Sequence, residues 1–201
     1  MLALIIIVRY VFLDRDGVLN RKMPEGAYVS DWAQFEWLPG AVEAVARMNR
    51  ADLTVILVSN QRGIALGRAT AEQVERIHDN MQSYLARHGA RLDAIYYCPH
   101  DIGECHCRKP DVGLFELATK DFPQVNADNS VVIGDSLSDI QAGQRLGMKT
   151  IFIRGEIDRQ KPGADAAAAL ADAVAFSLLQ AIEMDLGPMA VTGRASDVPQ
   201  P

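Results

Sequence analysis

An open, doubly wound α/β fold, a parallel sheet with helices on both faces, is what this sequence predicts, on three observations. Short β-rich apolar runs alternate with segments whose apolar residues recur at helical spacing, over most of a 201-residue chain. One run, "LTVILVSN", is apolar without alternation, the pattern of a strand covered on both faces. Several runs end on carboxylates or small polar groups, where an α/β sheet binds its ligands. Strands alternating with helices imply right-handed crossovers and hence a Rossmann-like sheet.

The elements follow in order. "MLALIIIV" is apolar, but Arg9 interrupts it well before the roughly 20 residues that a membrane span requires. It has no preceding basic region and no small-residue cleavage site, so it reads as the lead-in to a buried strand rather than a cleaved signal. That places the protein in the cytoplasm, with no membrane partner. "YVFLD" is the first strand and ends at a carboxylate. "LPGAVEAVARMNR" sets Val42, Val45 and Met48 on one helical face. "TAEQVERIHDNMQSYLARHG" opens on a capping box from Thr70 to Gln73, carries Val74, Ile77, Met81 and Leu85 on one stripe, and stops at Gly89. "LDAIYYC" is a strand, "VGLFELATKDF" a helix and "SVVIGD" a strand. "SDIQAGQRLG" is a helix closed by Gly147, and "KTIFIR" the last clear strand. Beyond Arg154 the alanine-rich "ADAAAALADAVAFSLLQAIEM" reads as partly helical. The expectation is one domain over residues 1–186 and a disordered tail over 187–201, with no internal repeat.

Composition narrows the function. The chain is 49% apolar and 23% charged, ordinary for a globular protein. A formal charge of -6 argues against nucleic acid, whose binders need a basic surface. All three cysteines fall within "CPHDIGECHCRKP", residues 98–110, beside a histidine. An odd number cannot form a complete disulfide framework, and such crowding points to a metal in a reducing compartment.

Chemistry gathers at the strand ends. Asp14 and Asp16 flank the end of the first strand, and alternate residues of a strand can point into one crevice. Gly17 then lets the chain turn away. Asp135 ends "VVIGD", with Asp139 one helical turn on. Clustered carboxylates at apolar strand tips cost free energy unless a cation joins them, and oxygen ligands of this kind suit Mg²⁺, which also binds substrate phosphate. The competing reading, that each aspartate merely caps a turn, weakens when several stand at successive strand ends. Ser59, Asn60 and Gln61 end the second strand with neutral hydrogen-bonding groups. Lys109 offers a compact point charge for a phosphoryl group, unless it is just a surface lysine.

In this order "DRDGV", the strand-end serine, a lysine and "GDSLSD" resemble the haloacid dehalogenase-like phosphatases over roughly residues 8–155. The resemblance implies that Asp14 is the nucleophile forming an aspartyl-phosphate, and that Asp16 is the acid and then the base. It implies Mg²⁺ on Asp14, the Asp16 backbone carbonyl and Asp135, with Asp139 orienting its neighbours. It also implies that Ser59 and Lys109 stabilise the phosphoryl oxygens.

Cys98, His100, Cys105 and Cys107 supply a closed set of thiolates and an imidazole suited to structural Zn²⁺. His106 between two ligands is expected to point away, and His78 and His88, in the helix, to need no function. A redox role for Cys105 and Cys107 is the rival reading of the loop. Zinc there would fix Arg108 and Lys109, which follow Cys107 directly. Together with "SNQRGIALGRATAEQ" and "LDAIYYCPHD", the loop resembles the bacterial D-glycero-D-manno-heptose 1,7-bisphosphate 7-phosphatases, cytoplasmic and monomeric enzymes of lipopolysaccharide-core heptose synthesis. That resemblance implies a small sugar-phosphate substrate contacted by Asn60, Gln61, Arg62 and Arg108, the last suited to bidentate grip. Histidinol-phosphate phosphatases share the motifs, and "NQRGIALG" favours the heptose enzymes over them. Two further rivals are an inactive zinc-stabilised binding module and a polynucleotide 3′-phosphatase, the second disfavoured by the acidic charge. Forty-five positions separate Asp14 from Ser59 and fifty separate Ser59 from Lys109, too few for a large cap domain. The zinc loop and "NRKMPEGAYVSD" would wall the site instead, and residues 20–31 carry no assigned role.

Overall fold

The computed structural model describes residues 8–185; the strand lead-in expected in residues 1–7 and the tail expected from 187 onward lie outside them. Six strands form one sheet: β1 (Tyr10–Leu13), β2 (Thr54–Asn60), β3 (Ala94–Cys98), β4 (Ser130–Gly134), β5 (Lys149–Ile153) and β6 (Ala173–Ala175). They lie in the order β3-β2-β1-β4-β5-β6, every neighbouring pair parallel. The chain therefore leaves β1 toward β2 and later returns to β1's other side with β4. The gap between β1 and β4 is the switch point at which an open α/β sheet holds its ligand.

The pleat divides the core in two. Val11, Leu13, Val55, Leu57, Val131 and Ile133 face α1 (Ala41–Arg50), α2 (Ala71–Arg87) and α6 (Leu178–Asp185). The alternate residues Phe12, Ile56, Val58 and Val132 face α3 (Gly113–Asp121) and α4 (Leu137–Arg145). There the Phe12 and Phe115 rings lie 5.1 Å apart. Val11 and Phe12 are both fully buried, which is why β1 reads as an unbroken apolar run. In α2 the capping box of Thr70 and Gln73 forms in both directions, and Val74, Ile77, Met81 and Leu85 are buried as their spacing predicts. Gly89, at φ +68°, supplies the left-handed stop.

The C-terminal third departs from expectation. The alanine-rich stretch is two short helices, α5 (Ala164–Leu170) and α6, around a sixth strand that the sequence reading missed. Alanine is a weak strand former, so the strand is made by pairing: Ile151, Phe152 and Ile153 face Ala173, Val174 and Ala175. Asp172 anchors the entry, its Oδ2 accepting at 2.8 Å from both the N–H and the Oγ1 of Thr150. Among the described residues no cap domain interrupts the sheet. Residues 14–40 form a loop with one short 3-10 turn at Trp32–Gln34. Trp32, Phe35, Trp37 and Tyr84 meet in succession, with centroids 4.8–5.3 Å apart, the outer pairs stacked and Phe35 edge-on to Trp37, and hold that loop against α2. No helix among the described residues is long and apolar enough to cross a membrane.

Candidate active site

Parallel pairing of Leu13 with Ile133 brings the ends of β1 and β4 side by side. Asp14, Asp135 and Asp139 are all buried, and each offers a carboxylate oxygen within 4.8 Å of the other two. Asp139 reaches them from the first turn of α4, where its Oδ2 accepts from the N–H and the hydroxyl of Ser136 at 3.0 and 2.5 Å. Gly17, at φ +95°, makes room: a Cβ there would lie 2.0 Å from Asp135 Oδ2. Lys109 enters from the β3–α3 loop, 4% exposed. Its ammonium is 3.0 Å from Asp14 Oδ1 and 2.5 Å from Asp139 Oδ1, and donates to the Val58 carbonyl at 2.5 Å. Burial disfavours that charge, but Asp139 and Asp14 outweigh it and raise the lysine's pKa. Burial likewise raises the carboxyl of Asp135, to about 6, with Asp14 and Asp139 adding to the rise and Lys161 and Lys22 opposing it.

Asp16 does not join the three carboxylates. Arg15 donates to both its oxygens at 3.1 and 2.9 Å, Asn20 Nδ2 to Oδ1 at 2.9 Å and Gln61 Nε2 to Oδ2 at 3.2 Å. Burial opposes ionisation of Asp16, but the Arg15 charge and these hydrogen bonds hold its pKa below the usual range. Arg15 is fully buried, and His78 lies behind it, Nε2 accepting from the guanidinium at 3.5 Å. Burial and the Arg15 charge drive His78 down to about 3. A histidine that its place in the helix left without a role thus backs the arginine holding Asp16.

At the end of β2 Ser59 is buried and accepts from Gln61 Nε2 at 2.8 Å. Asn60 directs both ends of its amide to the Lys109 backbone, donating to the carbonyl and accepting from the N–H at 3.0 Å each. Expected to contact substrate, it here holds the lysine. Arg62 pairs with Asp101 at 2.5 Å, and Arg108 donates to the His100 carbonyl at 3.5 Å.

The four zinc candidates also converge. Cys105 Sγ lies 3.5 Å from Cys98 and 3.2 Å from Cys107, and His100 Nδ1 lies 3.6 and 3.4 Å from Cys98 and Cys107. These separations exclude disulfides, whose sulfurs stand about 2.05 Å apart. They approach the edges of a tetrahedron with bonds of roughly 2.3 Å to sulfur. Burial works against ionising Cys105, yet the thiols of Cys107 and Cys98 and the backbone N–H groups of Cys107 and Arg108 bring it to about 7. His106 is exposed and outside the group, as expected.

Two cations escaped the sequence reading. Lys22 contacts Asp135 Oδ2, and Lys161 stands 3.8 Å from Asp135 Oδ1. Neither follows a strand directly, and Lys161 lies beyond the last strand that the pattern marked.

Residues 106–181 match the family model described as HAD-hydrolase-like, a span that holds Lys109, Asp135 and Asp139. The chain is 40% identical over 137 residues to the D-glycero-alpha-D-manno-heptose-1,7-bisphosphate 7-phosphatase of Mycobacterium bovis, covering 68% of this chain and 72% of the relative. The chain belongs to the HAD-like phosphatases. The D-glycero-beta-D-manno-heptose-1,7-bisphosphate 7-phosphatase of Vibrio cholerae is 38% identical over 176 residues, 84% of this phosphatase and 91% of the relative. The crystal structure of D,D-heptose 1,7-bisphosphate phosphatase from B. bronchiseptica, complexed with magnesium and phosphate, superposes with a TM-score of 0.78 at 32% identity, covering 89% of this chain and 98% of that one. The phosphatase has the ligand oxygens for the same cation: three buried carboxylates, with Asp135 Oδ1 receiving no hydrogen bond among the described residues.

Proposed function

We propose that this phosphatase removes the 7-phosphate of D-glycero-D-manno-heptose 1,7-bisphosphate, as a cytoplasmic monomer without nucleic-acid or membrane partners, in the supply of heptose for lipopolysaccharide core. The observation that carries the reading is the buried meeting of Asp14, Asp135 and Asp139 with Lys109, in a chain this similar to heptose bisphosphate phosphatases.

Asp14 is the nucleophile. Its carboxylate oxygen bonds to phosphorus as the bond from phosphorus to the C7 oxygen breaks, leaving an aspartyl-phosphate. Asp16 gives its proton to the departing oxygen. In the substrate-free chain Asp16 is held ionised by Arg15, Asn20 and Gln61. An arriving phosphate dianion raises its proton affinity, because like charges disfavour the ionised form. In the second half Asp16 takes a proton from water, whose oxygen bonds to phosphorus as the acyl-phosphate bond breaks. Lys109 neutralises the equatorial oxygens, with the Ser59 hydroxyl beside it. Magnesium held by Asp14, Asp135 and the Asp16 carbonyl, with Asp139 behind, supplies charge neutralisation of the transferring group. Zinc on Cys98, His100, Cys105 and Cys107 holds the loop that carries Arg108 and Lys109.

The test compares hydrolysis of heptose 1,7-bisphosphate with that of histidinol phosphate in Mg²⁺. The bisphosphate is expected to be preferred and to release a single phosphate. Preference for histidinol phosphate, or release of both phosphates, overturns the assignment.

A further inference from the structure

Asp135 carries two ammonium groups, Lys22 at Oδ2 and Lys161 at Oδ1, while Lys109 serves Asp14 and Asp139. The site is thus balanced without a metal. Asp14, Asp16, Asp135 and Asp139 are matched by Arg15, Lys22, Lys109 and Lys161. A divalent cation among the three carboxylates adds two charges to a buried space, and a carboxylate bound to it attracts neighbouring ammonium groups far less. The relief falls on the two lysines at the rim. The Lys161 side chain is 47% exposed, whereas that of Lys109 is buried and tied to the Val58 carbonyl. One phosphate dianion at the reacting centre restores the balance, so a second phosphate on the same substrate needs further cations.

We propose that Lys22 and Lys161 form the subsite for the substrate's non-reacting phosphate, a subsite that Asp135 occupies in the metal-free chain and releases when a divalent cation takes that carboxylate. The inference rests on the bisphosphate reading above. The two lysines come from segments locked together: Arg159 donates to the Lys22 carbonyl at 2.6 Å, and Gln160, next to Lys161, donates to the Arg154 carbonyl at 2.7 Å. Lys22 and Asp135 open onto a cleft also lined by Gly17, Arg154, Arg159 and Gln160. The acidic Glu156 on its wall is paired with Arg21 at 2.8 Å. A phosphate entering there meets Lys22, Arg154 and Arg159 on the lining, with Lys161 reaching it past the Asp135 carboxylate that it flanks.

The test uses Lys22→Met and Lys161→Met in the full chain, with thermal melts to establish folding. Calorimetric titration of Mg²⁺ into the metal-free enzyme is expected to show binding about 3- to 10-fold tighter in each variant, because a competing ammonium has gone. The KM for heptose 1,7-bisphosphate should rise about 10- to 30-fold and that for heptose 7-phosphate less than about threefold, the difference being loss of one charge-assisted contact. Lys22→Arg, which keeps the charge, should retain most of the bisphosphate affinity. Unchanged or weaker Mg²⁺ binding, or an equal KM rise on both sugars, overturns the subsite. A wild-type enzyme inactive on the bisphosphate overturns the functional reading instead, and is seen without any variant.

Discussion

Removing the Asn60 amide discriminates between two roles for that residue. The side chain closes two hydrogen bonds of 3.0 Å on the Lys109 backbone. Truncation to alanine leaves a partly buried donor and acceptor unpaired, at about 1–3 kcal/mol each, so the protein should lose about 2–6 kcal/mol in urea unfolding. The lysine then keeps only its side-chain contacts. A misplacement of about 1 Å costs about 10²-fold in rate, close to 2.7 kcal/mol of barrier. Asn60→Ala should therefore lower kcat on heptose 1,7-bisphosphate about 100-fold, with KM changed little. Asn60→Asp keeps the acceptor for the Lys109 N–H but sets a carboxylate against its carbonyl, and should fall between. A residue that only touches substrate would do the reverse, raising KM and leaving kcat and stability intact. That result in Asn60→Ala would refute the positioning role.

Asp14→Asn should cut turnover at least about 10⁴-fold, as expected for loss of a nucleophile, while bound zinc measured by atomic absorption stays at the wild-type level. Cys107→Ser should lose zinc and with it part of the activity, since the Asn60 clamp on Lys109 remains, and a zinc-free variant of full activity would disprove the loop's supporting role. His78, driven down to about 3, binds a proton in the unfolded chain that it refuses in the folded one. Stability should thus fall as pH drops from 6.5 toward 3, by about 1.4 kcal/mol per unit from this group, and urea midpoints of His78→Gln should lack that component.

Legibility followed the physics of each signal. Strand ends on β1, β2 and β4 were readable because ending a buried apolar run on a polar or charged group is costly unless a ligand or a cation meets it there. Asp14 follows β1, Ser59 stands at the end of β2 and Asp135 follows β4, and Asp14 and Asp135 meet Asp139 there. The sixth strand was not readable, since Ala173–Ala175 offers a single strand former, Val174, between alanines and pairs with β5 alone among the described residues. Asp16 was placed but not its surroundings, for Arg15, Asn20, Gln61 and His78 converge on it from three segments whose meeting has no local signature. Lys22 and Lys161 stayed invisible for the same reason, being separated by most of the chain.

With no cap domain among the described residues, rigidity near the lysine comes from ties within this domain. Lys109 stands in a loop with no regular structure of its own, yet it is among the best-buried charges of the chain. Three constraints meet on it. Cys107, two residues earlier, is drawn into the cluster with Cys98 at the end of β3. Asn60 grips its backbone from the end of β2, the neighbouring strand. On the exit side Gly113 donates to the His106 carbonyl at 3.1 Å, so close that a Cβ there would lie 2.7 Å from that oxygen. Each constraint ties the loop to a strand end or to its own entry, so the lysine inherits the precision of the sheet. Loss of the Cys/His cluster removes one of the three and leaves the Asn60 clamp. Asn60→Ala combined with Cys107→Ser should therefore cost more rate than the two single changes added together, because only then is the loop free to move as a whole.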